Sequence, residues 1–376
     1  MRFLLFIATL LHISVGIQAQ VPKTKNVIIV TLDGYRWKEL FEGTDPDILF
    51  NNRYVKDTSV WRFAGRSAQE SREQLMPFFW NVIAAKGQLY GNRNFKSKVN
   101  CANLRLFSYP GYSEMLVGFP DPSVASNDKI ENPNATVLEF IHAHDGFRNQ
   151  VAAFTTWDAF PFIIREERSG IPVNSGKDVA EGEISEAEQR LNEKQAKLGM
   201  PVRPDAMTFR YAFEFMKRER PRVVLLSFDE TDSYAHKGRY DEYLKAAHKA
   251  DGMIGELWQW IQSTPGYKDE TTLLITTDHG RGSGKNNWRK HRLITPGSGQ
   301  IWFAVMGPDT PPFGEMRFKA KYYQKQVAKT IAAFLGLDYL NNKPVGEVVQ
   351  TMMAVAGHNA NNASADTGTG AQSSNK

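Results

Sequence analysis

Three short aliphatic runs in this chain each stop at a carboxylate. Asn26-Val-Ile-Ile-Val-Thr-Leu leads into Asp33-Gly34, and Arg222-Val-Val-Leu-Leu-Ser-Phe leads into an acid-rich stretch holding Asp232 and His236. Thr271-Thr-Leu-Leu-Ile-Thr-Thr leads into Asp278-His279-Gly280. Runs that stay apolar at consecutive positions read as strands buried on both faces, as in a parallel sheet. Further strands are expected at 150–155 and 301–306. Helical spacing is found at 135–144, 205–219 and 240–262, and at 67–85, where Pro77 predicts a kink or a fresh helix start. Strands alternating with helices predict an α/β fold, a three-layer α/β/α sandwich around a mainly parallel sheet.

Residues 157–203 break this rhythm, being highly charged from 177 to 197 and helical at 185–198. They are expected to form a small inserted cap near the mouth of a site, or a surface excursion without a role. At the N-terminus, Met1-Arg2, an apolar run from Phe3 to Val15 and small residues up to Ala19 read as a signal peptide over 1–19. That apolar run is shorter than the ~20 residues a spanning helix needs, and no later stretch is apolar enough to span. A catalytic domain is expected over 21–353. Residues 357–376, mostly Asn, Ala, Ser, Gly and Thr, are expected to be a disordered tail.

The net charge of +5 is mild and spread along the chain. It gives no dense basic run for nucleic acid, while still favouring anionic substrates. The single cysteine, Cys101, excludes an intramolecular disulfide and a multi-cysteine zinc site. Export without disulfides fits a bacterial periplasm or exterior.

Ligands of open α/β sheets bind beyond the carboxyl ends of the strands. Acids and histidines placed there are expected to converge on a divalent metal centre. Asp232 and His236 share one helical turn, Asp278 and His279 sit in a bend after a strand, and His291 follows within one loop. Each also has a plainer use, such as the turn or helix cap that Asp33-Gly34 commonly makes. Phe107-Ser108-Tyr-Pro110-Gly111-Tyr112-Ser113 marks a helix start with Pro110 in its first turn. Ser108 there presents a hydroxyl beside backbone N–H groups that suit phosphate or sulfate oxygens, and a divalent cation can activate such a hydroxyl. A plain N-cap is the alternative for Ser108, and Ser113 is the rival hydroxyl.

Taken in order, strand-Asp33-Gly34, Ser108-Tyr-Pro-Gly-Tyr-Ser, Asp232-x-x-x-His236, Asp278-His279-Gly280 and His291 resemble the metal-site pattern of the alkaline phosphatase superfamily. The likeness is to its type I phosphodiesterase/nucleotide pyrophosphatase-like branch and covers roughly 26–308. The resemblance implies a hydrolase of small phosphate esters, either a phosphodiesterase or a phosphomonoesterase, which the signal peptide would make secreted or periplasmic. It implies two Zn2+ ions, or other divalent metals. One would be held by Asp232, His236 and His291. The other would be held by Asp33, Asp278 and His279, with Ser108 beside it as ligand and nucleophile, forming a phosphoserine that water hydrolyses. It aligns Asn127 with an asparagine that contacts a phosphoryl oxygen; Glu166-Glu167-Arg168 is the nearest candidate for a phosphate-binding Lys-x-Arg pair, keeping the arginine without the lysine, and a plain surface residue is the alternative for Arg168. Trp157, Phe160, Phe162 and above all Trp288, between two ligand segments, are candidates to stack on a base or aryl group, with ordinary core packing as the alternative for each.

The chain also departs from the pattern. Serine stands where the branch commonly has threonine, and Tyr109-Pro110-Gly111-Tyr112 replaces Phe-Pro-Asn-His, which weakens a nucleotide-cleaving assignment. Sulfatases of the same fold need an arginine where Tyr112 stands, and their calcium sites are oxygen-rich. The phosphoglycerate mutases that share the metal pattern are cytosolic and carry a large inserted domain. A catalytically silent anion-binding protein is the alternative in another class, and the full set of ligands plus a hydroxyl argues against it.

Overall fold

The computed structural model describes residues 21–198 and 202–354. The expected signal peptide and tail lie outside these residues. Eleven strands are present among them: β1 (Asn26–Leu32), β2 (Gln88–Tyr90), β3 (Ser97–Asn100), β4 (Val151–Thr155), β5 (Val173–Ser175), β6 (Val223–Phe228), β7 (Thr271–Thr276), β8 (Gln300–Ile301), β9 (Phe303–Met306), β10 (Gly314–Glu315) and β11 (Ala320–Tyr323). Eight form one sheet in the order β10-β2-β9-β7-β1-β6-β4-β5, and the other three form a side sheet, β11-β3-β8. In the main sheet only β9 runs against its neighbours.

β1 is central and buried at every position, as its unbroken apolar run predicts. Its alternate residues enter two different cores. Ile28, Val30 and Leu32 pack with the helices Asp205–Glu219 and Tyr240–Ser263. Val27 and Ile29 pack with Ser108–Val117, Val137–Ala143 and Val327–Phe334. Helices on both faces of a mainly parallel sheet are the expected three layers.

Register then sets up the chemistry. β1 pairs in parallel with β6, Leu32 opposite Phe228, and with β7, Thr31 opposite Thr276. One or two steps further on, Asp33, Asp229 and Asp278 come level at the carboxyl ends of three adjacent strands.

The helical expectation at 67–85 resolves into a helix, Ala68–Leu75, a break at Met76, and a second helical segment that starts at Pro77. The break leaves backbone donors exposed, and the Asp251 carboxylate accepts from the N–H groups of Phe78 and Phe79 at 2.7 and 3.0 Å. The strand expected at 301–306 is divided at Trp302, whose indole N–H donates to the Tyr35 carbonyl at 2.9 Å. Within 157–203, the regular elements extend the sheet edge: β5 adds in parallel to β4, three strands from β1. Buried Arg203 staples that edge, donating to the carbonyls of Thr155 and Asn174 at 3.1 and 2.8 Å.

Beneath the loop after β7, a buried ion pair joins Arg36 and Glu39. Arg36 also donates to the Gly282 carbonyl at 3.0 Å, and Tyr240 donates to Glu39 at 2.8 Å. Removing one partner strands a buried charge. Glu39→Ala is therefore expected to cost about 3–5 kcal/mol, read as a lower urea midpoint with unchanged slope.

Candidate metal centre and active site

The three strand ends bring two candidate ligand triads together. Asp33, Asp278 and His279 form one, and Asp232, His236 and His291 the other; in each, the ligand atoms lie within 4.8 Å of one another. The first triad is buried and the second is more open. The rings of His279 and His291 stack at 4.1 Å between centroids, so the triads adjoin. The six expected ligands are thus gathered as two groups of three.

Neighbouring groups orient these side chains. Gly34 N–H donates to Asp278 Oδ1 at 3.0 Å, and the Tyr112 hydroxyl to Asp33 Oδ2 at 3.0 Å. Thr231 Oγ1 donates to the Asp33 carbonyl at 2.6 Å. His279 Nδ1 faces the Gly280 carbonyl at 3.0 Å, and His291 Nδ1 faces that of Leu106 at 3.0 Å. A carbonyl can only accept, so both rings carry their proton on Nδ1 and offer a lone pair at Nε2.

That arrangement leaves atoms in need of a cation. Asp33 Oδ1, Asp278 Oδ2 and His279 Nε2 are buried without a hydrogen-bond partner. His279 Nε2 lies 3.5 Å from each of those two oxygens, lone pair towards lone pair. In the second triad His236 Nε2 lies 3.0 Å from His291 Nε2 and 3.1 Å from Asp232 Oδ2. Buried polar atoms are rarely left unpaired, and a divalent cation would satisfy each group. Burial first, then repulsion from Asp278 and Asp229, raises the Asp33 carboxyl well above the usual range. Burial, with His279 and Arg281 nearby, holds His291 far below the usual imidazole range, and burial also lowers His236. Both imidazoles are therefore neutral and ligand-competent near pH 7.

Ser108 is the first residue of the helix Ser108–Val117, and its residual exposure is 8%. Asn127 lies at the same helix end: its Oδ1 accepts from the Tyr109 N–H at 2.9 Å, which leaves its Nδ2 to donate. The rival Ser113 is 1% exposed and its Oγ accepts from Asn132 at 3.1 Å. A Cβ at Gly111 would stand 2.4 Å from the Asp278 carbonyl oxygen, so glycine there lets the helix approach the ligand loop. Gly111→Ala must push the helix off that loop. Because a displacement of about 1 Å can cost ~100-fold, kcat/KM is expected to fall 10- to 100-fold while circular dichroism is retained.

Two expected substrate contacts lie elsewhere. Trp288 is fully buried, edge-on to Tyr54, Tyr240 and Tyr243 at 5.6, 5.1 and 5.8 Å, and so cannot stack on a ligand. Arg168 is paired with Glu139 at 2.7 Å and donates to the Asn134 carbonyl at 3.0 Å, so its guanidinium is engaged at the surface. Phe160 is buried against Tyr112, with Trp157 edge-on to it. Cys101 is half-buried, its thiol donates to the Asp278 carbonyl at 3.4 Å, and burial pushes it well above the usual thiol range.

Sequence reasoning missed Asp229 and Arg281. Asp229 is the first acid after β6, level with Asp33, and its Oδ2 accepts from Ser233 at 2.7 Å. Arg281 is buried in the ligand loop, pairs with Asp232 and donates to the Arg289 carbonyl at 2.7 Å. Burial lowers its guanidinium to about 9, against the pull of Asp33. The signal for Asp229 was the shared position after a strand; for Arg281 it was an arginine set between two glycines in the ligand loop.

The fold is that of the alkaline phosphatase superfamily. It is similar to the alkaline phosphatase PafA, with a TM-score of 0.59 and 10% identity over 90% of this chain and 100% of that one. The lipoteichoic acid synthase LtaP of Listeria monocytogenes gives a TM-score of 0.55 and 14% identity, covering 91% and 79%. The phosphonate monoester hydrolase of Agrobacterium radiobacter gives 0.55 and 12%, covering 87% and 77%. In sequence, 135 residues are 24% identical to the 2,3-bisphosphoglycerate-independent phosphoglycerate mutase of Thermomicrobium roseum, which is 34% of this chain and 23% of that enzyme. The profile of the type I phosphodiesterase / nucleotide pyrophosphatase family matches residues 69–356. The chain belongs to that family.

Proposed function

We propose that this protein is an exported hydrolase of small phosphate esters, with Ser108 as nucleophile and a zinc ion at each triad. The observation that carries this reading is the convergence of Asp33 Oδ1, Asp278 Oδ2 and His279 Nε2, buried and unpartnered, beside a second triad. Three imidazoles among six ligands favour zinc over calcium. Bound there, divalent cations would supply Lewis acidity and a lowered pKa for a coordinated hydroxyl.

The chain's own residues do the rest. The helix end presents the Ser108 hydroxyl for in-line attack on phosphorus. The Asn127 Nδ2 donates to a phosphoryl oxygen, and the Ser108 N–H is the other donor, because Tyr109 N–H is taken and Pro110 has none. Tyr112 and the Gly34 N–H hold the carboxylates of Asp33 and Asp278, and Arg281 holds that of Asp232. Export rests on the basic start and apolar run of residues 1–19; no described helix is long and apolar enough to cross a membrane.

Rates on an aryl phosphate monoester, an aryl phosphodiester and an aryl sulfate test the reading. Turnover of either phosphate ester at least 100-fold above that of the sulfate is expected. Sulfate as the preferred substrate would overturn it in favour of a sulfatase.

A further inference from the structure

Two loops beside the ligand triads expose aliphatic side chains that a soluble surface would normally cover. Leu104 is 70% exposed, Leu293 59% and Ile294 92%. The loops are joined: His291 Nδ1 donates to the Leu106 carbonyl at 3.0 Å, and the Arg292 guanidinium lies 5.3 Å from the centre of the Phe107 ring. One loop therefore leads into Ser108 and the other carries His291, so the aliphatic tips flank the mouth of the site.

These tips are held in place. The Glu114 carboxylate accepts from the N–H groups of Ala102 and Asn103 at 2.9 and 2.7 Å, and Asn103 Oδ1 accepts from those of Arg105 and Leu106 at 3.1 and 2.9 Å. Across the gap, Thr295 N–H donates to the Arg292 carbonyl at 2.9 Å, closing a turn that turns Leu293 and Ile294 outward. Leu106 and Arg292 both adopt positive φ, +53° and +98°, a conformation that costs energy in residues with a Cβ. The backbone is thus strained on both sides of the mouth in the segments that present the apolar tips.

Within the two loops the charge has one sign. Arg105, Lys290 and Arg292 are exposed between them, and neither 101–107 nor 289–297 contains a carboxylate. Protruding aliphatic residues interleaved with cations are what a protein needs to sit on an anionic bilayer. The cations meet the headgroups and the aliphatics enter the acyl boundary. A convex pair at 59% and 92% exposure does not form a pocket for a small leaving group.

We infer that these two loops dock the mouth of the site onto an anionic lipid surface, so that the enzyme meets phosphate esters carried by membrane lipids. The inference rests on the proposed reading of the site only for what is hydrolysed; docking itself is measured without turnover.

The test is sedimentation of the full mature protein with vesicles, at 0.1 M salt, of phosphatidylcholine alone or mixed with phosphatidylglycerol. Wild type is expected to partition at least tenfold more onto the mixed vesicles. The double variant Leu293→Ser with Ile294→Ser keeps every charge, and is expected to lose about tenfold of that binding while its turnover of a soluble aryl ester stays within twofold of wild type. Equal binding by the variant would mean simple adsorption of a basic protein and overturn the inference, as would no vesicle binding by wild type. Loss of soluble-ester turnover in wild type would instead count against the proposed activity and leave the docking result to be read by itself.

Discussion

Ser108→Ala is expected to lower the hydrolysis of an aryl phosphate ester by on the order of 1000-fold or more while both metals stay bound. The triads are complete without the hydroxyl, since Asp33, Asp278 and His279, and Asp232, His236 and His291, each close within 4.8 Å. The variant should therefore keep its metal content and lose only the attacking oxygen. Ser113 cannot readily take over, being 1% exposed with its Oγ tied to Asn132. Full activity in the variant would show that water attacks directly and would remove the covalent step.

His291→Ala is expected to release one of the two metals and lower kcat by roughly 100-fold or more, since a Lewis-acid cation is worth several kcal/mol at the transition state. His291 closes the more open triad, and its ring lies against His279 of the other. Its Nδ1 is anchored to Leu106, so Nε2 has little to do other than bind a cation facing His236. Metal analysis and kinetics on the same preparation decide it. An unchanged metal content would exclude His291 as a ligand, and with it the division into two triads.

The candidate triads were legible in part because Asp33, Asp278 and His279 stand just beyond short aliphatic runs, and parallel pairing in register brings such positions level. Asp33 shows this well: it lies before the family match begins at residue 69, yet the register of β1 with β7 sets it beside Asp278. The helix Asp205–Glu219 was legible from its 3.6-residue period over four turns. Elements of two or three residues, such as β2, β5 and β10, carry no period to read. The antiparallel direction of β9 and the break before it at Trp302 are set by tertiary packing and leave no mark in an apolar run. Trp288 looked like a pocket wall because it sits between ligand segments, but its neighbours Tyr54 and Tyr240 come from distant parts of the chain and bury it. Arg168 was misleading for the same reason, as Glu139 lies across the surface from it. A side chain's partner from another element leaves no mark in its own local sequence.

The most direct test is to measure the metal content of the purified mature protein, together with ester hydrolysis before chelation, after chelation and after zinc is restored. Two triads predict about two divalent ions per chain, turnover abolished by chelation, and recovery on zinc addition. A metal-free protein whose hydrolysis is indifferent to chelators would contradict the two-metal site, and the unpartnered atoms of Asp33, Asp278 and His279 would then need another occupant.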